Sequence, residues 1–233
     1  MKIKDRNPLV QLQAVKQYSK ADQAANKLYP SLEIVRLEKI FFQSKKGKLL
    51  DYAIGGGCNA IHLLKRGYNV YGIDVTLNSL KLVRKIIRRN KKIKKPKLFL
   101  LKKNADRLPF NDNTFDYIIA MSVISLLGSE KKIKFLLSEF KRILKPQGKI
   151  IIDINDHNSE FSQNRKQIEK NVFLPKIIGN QVRCYCVKNK NDFAKIVKPF
   201  FKIVDLGFSS HCIFKREITE FIICAQNNKK NFS

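Results

Sequence analysis

From residue 48 onward, short apolar runs alternate with stretches whose apolar residues recur every three or four positions. Strand-like runs fall at 48–54, 69–73, 97–102, 115–121 and 149–154. Between them lie predicted helices at 58–66, stopped by Gly67, at 77–90, and at 130–144, stopped by Pro146, Gln147 and Gly148. In the helix over 77–90, Leu80, Val83, Ile86 and Ile87 keep helical spacing, as a face turned to a sheet requires. This alternation predicts an α/β fold, a doubly wound and mostly parallel sheet with helices on both faces.

Both ends depart from the alternation. Residues 8–28 and 31–44 read as two helices, an N-terminal helical cap; Ser31 opens the second after Pro30, with Glu33 in its first turn and Ile34, Leu37, Ile40 and Phe41 on one face. After a helix at 191–198, FKIVDLGFSS and REITEFIICAQ are two strand-like runs with a short connection. Strands so closely joined pair antiparallel, because a parallel pair needs a longer crossover. Segment 155–190 is polar and poorly patterned. The 233 residues suit one domain: a cap over 1–46, a core over 47–154, an insertion over 155–190, and a terminal helix and strand pair over 191–233.

Composition adds one strong fact. Forty-seven basic residues against 19 acidic ones leave a net charge of +28, which draws a chain toward polyanions. Residues 75–105 hold twelve Lys or Arg and no Asp or Glu, densest from Arg84 to Lys97. A solvated helix face in a lysine-rich chain is the plainer explanation, and a binding patch the sharper one. Helix direction bears on the choice, since a helix over 77–90 that starts at the carboxyl edge of the sheet must carry its basic end away from that edge. The five cysteines (Cys58, Cys184, Cys186, Cys212, Cys224) are odd in number and scattered, as reduced thiols are, and Cys184-x-Cys186 lacks the second pair a metal site needs. No metal is expected. No apolar run approaches the ~20 residues of a membrane span, and the first residues lack a secretory signal's apolar core. A cytoplasmic protein is the expectation.

The chemistry starts at LLDYAIGGGCNAIHLL, residues 49–64. Gly55, Gly57 and Ala60 fit G-x-G-x-x-A, the dinucleotide fingerprint, and Asp74 stands near the distance at which such folds place a carboxylate on a ribose. Other residues point elsewhere. Asp51-Tyr52-Ala53-Ile54-Gly55-Gly56-Gly57, then GIDVTLNSLKL around Asp74, then NADRLPFNDNTFDYIIAMS, and finally Leu144-Lys-Pro-Gln-Gly148 follow one another in order. Together they resemble the class I S-adenosylmethionine-dependent methyltransferases, and within them the small-molecule branch that includes ubiquinone-biosynthesis enzymes. The resemblance spans about residues 48–154.

It implies a Rossmann-like fold, a transferase activity and S-adenosyl-L-methionine as cofactor. Asp51, Ala53 (a glycine in the family), Gly55 and Gly57 would pass under its methionine half. Asp74 would accept the ribose hydroxyls, with Val75 against the adenine. Asn104, where the family has an acidic residue before Ala105, would face the adenine amino group, and Ala105 and Met121, the latter at the end of its strand, would also belong to the cofactor site. The family's LKPGG-type turn implies only that a helix ends tightly. Ser125 and Leu126 occupy the places of a histidine pair frequent in the branch. Of the three histidines, His62 reads as packing and His211 as an exposed connection residue. His157 follows strand 149–154, at the carboxyl edge where open α/β sheets bind ligands; an alcohol acceptor would lose its proton there, to His157 or Asp156. A sugar hydroxyl, a quinone precursor and a carboxylate are all open as small-molecule acceptors. An RNA methyltransferase using the basic surface and a non-catalytic scaffold are the competing functions.

Overall fold

The computed structural model describes residue 9 and residues 29–43, 45–90, 92–102, 105–163, 166–176, 182–213 and 216–229. The helix expected over 8–28 lies outside them, apart from Leu9. The elements, in order, are α1 (Leu32–Ile40), β1 (Lys48–Tyr52), α2 (Cys58–Lys65), β2 (Asn69–Asp74), α3 (Leu77–Arg88), β3 (Lys97–Leu100) and β4 (Phe115–Ala120). A 3-10 turn (Ile124–Leu127), α4 (Glu130–Ile143) and β5 (Leu144–Asn155) follow. Next come β6 (Lys166–Glu169), β7 (Val172–Leu174), β8 (Cys184–Tyr185), α5 (Lys190–Val197), β9 (Lys202–Ile213) and β10 (Arg216–Gln226).

Seven strands form one sheet in the order β3-β2-β1-β4-β5-β10-β9. The first five are mutually parallel, and β10 runs antiparallel to both β5 and β9. Alternation along the strands divides their side chains between two cores. Leu50, Ile73, Ile118, Ile152 and Ile223 pack with α4 and α5, through residues such as Leu136, Phe140 and Phe193. Leu49, Val70, Ile119, Ile151 and Ile222 pack with α1, α2 and α3, through Ile34, Leu63, Val83 and Ile87. The order reverses between β1 and β4, the switch point outside which ligands bind in such sheets.

Three local features differ from the sequence pattern. β5 begins at Leu144, directly after α4, rather than at 149. Its pairing with β4 jumps from Phe115↔Leu144 to Tyr117↔Lys149, so LKPQG is a bulge within the strand, with Gln147 at φ 60°. The polar insertion forms a second, three-stranded sheet, β6-β7-β8, over a small core of Phe173, Val182, Cys184 and Cys186.

Candidate functional site

The chain leaves β1 through a turn built on left-handed backbone: Ala53 (φ 58°), Gly55 (φ 52°) and Gly57 (φ 81°). The two glycines serve different ends. A Cβ on Gly57 would lie 2.8 Å from Cγ2 of Val83, so Gly57 lets α2 sit close on α3. A Cβ on Gly55 would meet nothing nearer than the Ala53 carbonyl at 3.9 Å, so the space over Gly55 is open to a ligand. Gly57 caps α2 without a side-chain bond, and the Ala60 amide in the first turn of that helix bonds to Asp51.

Two carboxylates lie beneath this turn. Oδ2 of Asp74 accepts from the Gly55 amide at 2.9 Å, and Oδ1 accepts from the Thr76 amide (2.8 Å) and hydroxyl (3.0 Å). Burial nonetheless raises the Asp74 pKa. Asp51, 3% exposed, keeps Oδ2 buried without a hydrogen-bond partner. Burial, and secondarily the nearby Asp74, push its pKa up to about 8. An unmatched acidic group beside an open turn suits a cationic ligand group.

Toward the other side of the switch point, β4 ends at Ala120, followed by the half-buried Met121 and by Ser122 in left-handed conformation (φ 56°). The Ser122 amide donates to both oxygens of the buried Asp153 on β5, at 2.7 and 2.9 Å. Alternation puts Asp153 on the face of Ile151, the face Asp51 also shares. Further along the edge Asn155 is paired with Glu220, and Glu220 with Ser209. The Ser209 hydroxyl donates to Glu33 of α1 at 2.8 Å, and the Ser31 amide, at the start of α1, donates to Oδ1 of Asn59 in α2 at 2.9 Å. Burial opposes ionisation of Glu33, but bonds from backbone, Ser209 and Ser31, and the charge of His211, outweigh it and lower its pKa. The start of α1 therefore bridges β9 and α2 across this edge. Acidic groups therefore gather at this end of the sheet.

The LPFNDN run serves as a brace. The Leu108 amide donates to Oε2 of the buried Glu139 at 2.7 Å, and Arg142 donates to the carbonyls of Phe110 (2.7 Å) and Leu108 (3.1 Å). Arg142 also makes an ion pair with Glu139 at 2.7 Å. Phe110 packs edge-on to Phe99, Phe115 and Tyr71. Asp116 holds the opposite edge of the sheet, accepting from the Lys48 amide (2.8 Å) and the Lys145 ammonium (2.7 Å). Glu139 and Arg142 carry no motif of their own. The signal available for them is only their three-residue spacing on a helix.

Of the residues singled out from sequence, Asp51, Ala53, Gly55, Gly57 and Asp74 gather at one turn, with Val75 directly after Asp74. Met121 lies on the same face of the sheet. The Ala105 amide donates to Lys102 at 3.0 Å, while Asn104 lies outside the described residues. Asp156 and His157 sit apart. Asp156 alternates to the face opposite Asp153, and its oxygens accept from the amide (2.8 Å) and side chain (3.1 Å) of Asn158. Burial, partly offset by those bonds, raises its pKa. The His157 ring meets the Cys186 carbonyl at 3.1 Å through Nε2 and lies edge-on to Phe173. Both belong to the packing between β5 and the small sheet. Among the described residues no group of three or more His, Cys, Asp or Glu is arranged to hold a metal, and no helix is long and apolar enough to cross a membrane.

A sheet of this order, with a glycine turn after β1 and a carboxylate ending β2, is the Rossmann-like arrangement that suits a nucleoside cofactor. Residues 50–152 match the methyltransferase domain family model. The fold is that of a SAM-dependent methyltransferase from Methanosarcina mazei, with a TM-score of 0.69 at 20% identity over 82% of this chain and 98% of that one. A Burkholderia thailandensis 1,6-didemethyltoxoflavin-N1-methyltransferase, solved with S-adenosylhomocysteine, superposes with a TM-score of 0.67 at 13% identity, covering 94% of this chain and 88% of that one. In sequence, a Rickettsia akari ubiquinone biosynthesis O-methyltransferase is 27% identical over 154 residues, 66% of this chain and 54% of that protein. The chain spans about half the length of the curated relatives it matches. S-adenosyl-L-methionine is the cofactor of this family. The residues present fit it: an open cradle at Gly55, an unpartnered carboxylate oxygen on Asp51 and a carboxylate at the end of β2.

Proposed function

We propose that the chain transfers the methyl group of S-adenosyl-L-methionine to a small molecule held at the carboxyl ends of β4 and β5. The observation that carries this reading is the buried, unpartnered Oδ2 of Asp51 beside Asp74, under a turn with open space at Gly55. When bound, the cofactor supplies an electrophilic methyl group on a sulfonium, so the protein's part is placement. Asp74 receives a ribose hydroxyl at Oδ2, which the Gly55 amide occupies with a single bond. Asp51 matches the cationic end of the methionine half, with Ala53 and Gly55 allowing close approach. Val75 and Ala105 flank the adenine, and Met121 bounds the methyl side.

The acceptor end is bordered by Glu33, Asp153 and Glu220, and α1 bridges it. Such a mouth repels a polyanion, which favours a neutral or cationic small acceptor over RNA. Asp156 and His157 in this reading brace the acceptor-side loop.

Calorimetric titration with S-adenosylhomocysteine tests the reading. The unmodified chain should bind it and give no heat with NAD, and Asp74→Ala should weaken binding by about 1.5 to 3 kcal/mol, the range for a hydrogen bond to a charged group. No binding by the folded chain, or undiminished binding by a folded Asp74→Ala variant, rejects it.

A further inference from the structure

The run of the sequence densest in basic residues, Arg84 to Lys97, begins on α3, outside this site. Lys81, Arg84, Lys85, Arg88 and Arg89 together line a surface cleft of about 460 Å³. Their positions step by three, one, three and one, so they form a single stripe along α3, opposite the buried Leu80, Val83 and Ile87. All five are exposed, as are Lys92, Lys94 and Lys95 beyond the helix end. Among the described residues none of these eight joins an ion pair. Like charges at i,i+3 and i,i+4 oppose helix formation, and a merely solvated face relieves that repulsion by mixing in acids. Here no Asp or Glu occurs from residue 75 to 105.

Lysine-rich composition does not account for the stripe. The chain has only eleven arginines, and three of them, Arg84, Arg88 and Arg89, fall within six consecutive residues. Arginine's planar fork matches phosphate oxygens two at a time, whereas lysine offers only a point charge. The stripe also lacks what an anionic membrane would select. The exposed apolar residue of α3 is Leu77, at the far start of the helix, and the half-buried Leu82 and Ile86 lie at one border of the stripe rather than within it.

Position separates this cleft from the proposed site of methyl transfer. β2 and β3 are parallel, with Tyr71 opposite Lys97 and Asp74 opposite Leu100, so α3 must run back from the carboxyl edge to the amino edge of the sheet. Twelve helical residues cover ~18 Å, which carries Arg88 and Arg89 that far from the Asp74 end. We infer that this cleft is a docking surface for the phosphate backbone of a nucleic acid, distinct from the acceptor site, and that it anchors the protein without presenting a base to the cofactor.

The test is fluorescence anisotropy of a labelled 30-nucleotide RNA and a 30-base-pair DNA duplex, titrated with the full chain over a range of salt. The compared variants are Arg84→Gln/Lys85→Gln/Arg88→Gln/Arg89→Gln and a control of equal charge change, Lys131→Gln/Lys188→Gln/Lys190→Gln/Lys198→Gln. The cleft variant should lose at least tenfold in affinity. The slope of log K against log salt should become shallower by up to about 0.9 per duplex phosphate contact removed, or about 0.7 for a single strand. The control should lose threefold or less, and both variants should keep circular dichroism and S-adenosylhomocysteine binding unchanged. Equal losses in the two variants, no measurable binding by the unmodified chain at low salt, or tighter binding to phosphatidylserine vesicles than to either nucleic acid would overturn the proposal. Loss of S-adenosylhomocysteine binding in the cleft variant would overturn the separation of the two sites.

Discussion

The amide of Gly55 donates to Oδ2 of Asp74 across 2.9 Å, joining the turn after β1 to the end of β2 nineteen residues later in the chain. One bond fixes both the backbone that, in the proposed function, a cofactor passes over and the carboxylate that would hold its ribose. Asp51 lies beneath the same turn and is the group left without a full complement of partners, so protonation there should report on ligand binding.

Burial raises the Asp51 pKa to about 8, so without ligand its carboxyl holds a proton at neutral pH. A cationic ligand group favours the ionised form. Binding should therefore release up to one proton below pH 8, and affinity should rise with pH, by at most tenfold per unit, until about pH 8. Calorimetry in buffers of different ionisation enthalpy measures the proton count, and Asp51→Asn should reduce it. The same shift works against folding: stability from a raised acid is complete below the unfolded pKa and is lost as pH rises through about 8. An unchanged proton count in Asp51→Asn would remove Asp51 from the cationic end of the site.

The two glycines of the turn should separate in their effects. Gly57→Ala drives a methyl group against Val83 in left-handed backbone, so it should cost about 1 to 3 kcal/mol of stability in urea unfolding. Gly55→Ala meets open space, so its stability loss should be confined to the left-handed strain of about 1 to 2 kcal/mol. Its larger effect should be on S-adenosylhomocysteine affinity, because the methyl group enters the ligand's path. Equal affinities for Gly55→Ala and the unmodified chain would place the ligand elsewhere.

The parallel strands and their helices were legible because each carries a period of its own, and the strand pair at the end because its connection is too short for a crossover. β6, β7 and β8 were not. They have four, three and two residues, too few for an alternation to show, and they exist by pairing with one another. At the site, Asp51, Gly55 and Asp74 sit at spacings a local motif records. The contact of Glu33 with Ser209 spans 176 positions, and Asp153 reaches Ser122 from another strand. Such groups meet only once the sheet order exists. His157 stands in the turn past the end of β5, where strand alternation no longer sets a side chain's direction and a contact 29 residues away, with the Cys186 carbonyl, does.

Glu139 and Arg142 should be the main fastening of the LPFNDN loop. Glu139→Ala leaves the Leu108 amide without its acceptor and Arg142 without its main partner, and should cost about 2 to 4 kcal/mol. Burial opposes ionisation of Glu139, but Arg142 and the Leu108 amide outweigh it and lower its pKa. Its contribution is therefore present above the unfolded pKa of about 4.5 and is lost as pH falls through the lower folded value. Acid unfolding followed by circular dichroism should begin at higher pH in Glu139→Gln. An identical acid transition would mean the loop is held by its phenylalanine cluster alone.

Ala53 stands at φ 58° where the family has glycine, and the sign of Ala53→Gly follows from three opposing effects. Left-handed backbone costs an L-residue about 1 to 2 kcal/mol, which glycine relieves. Glycine's extra freedom in the unfolded chain removes about 0.5 to 1 kcal/mol of that gain. Ala53 is only partly buried against the core, so its methyl group contributes less than the ~0.8 kcal/mol of a fully buried carbon. The balance runs from a loss of about 0.8 to a gain of about 1.5 kcal/mol, so the unfolding midpoint should move little, with a small rise at the centre of the range. Removing the methyl group also widens the turn over which the proposed function passes the cofactor, so S-adenosylhomocysteine affinity should hold or improve. A loss of more than 1 kcal/mol in stability would show that the methyl group packs more tightly than its exposure indicates. A stable variant with weakened binding would show that this turn does not approach the cofactor.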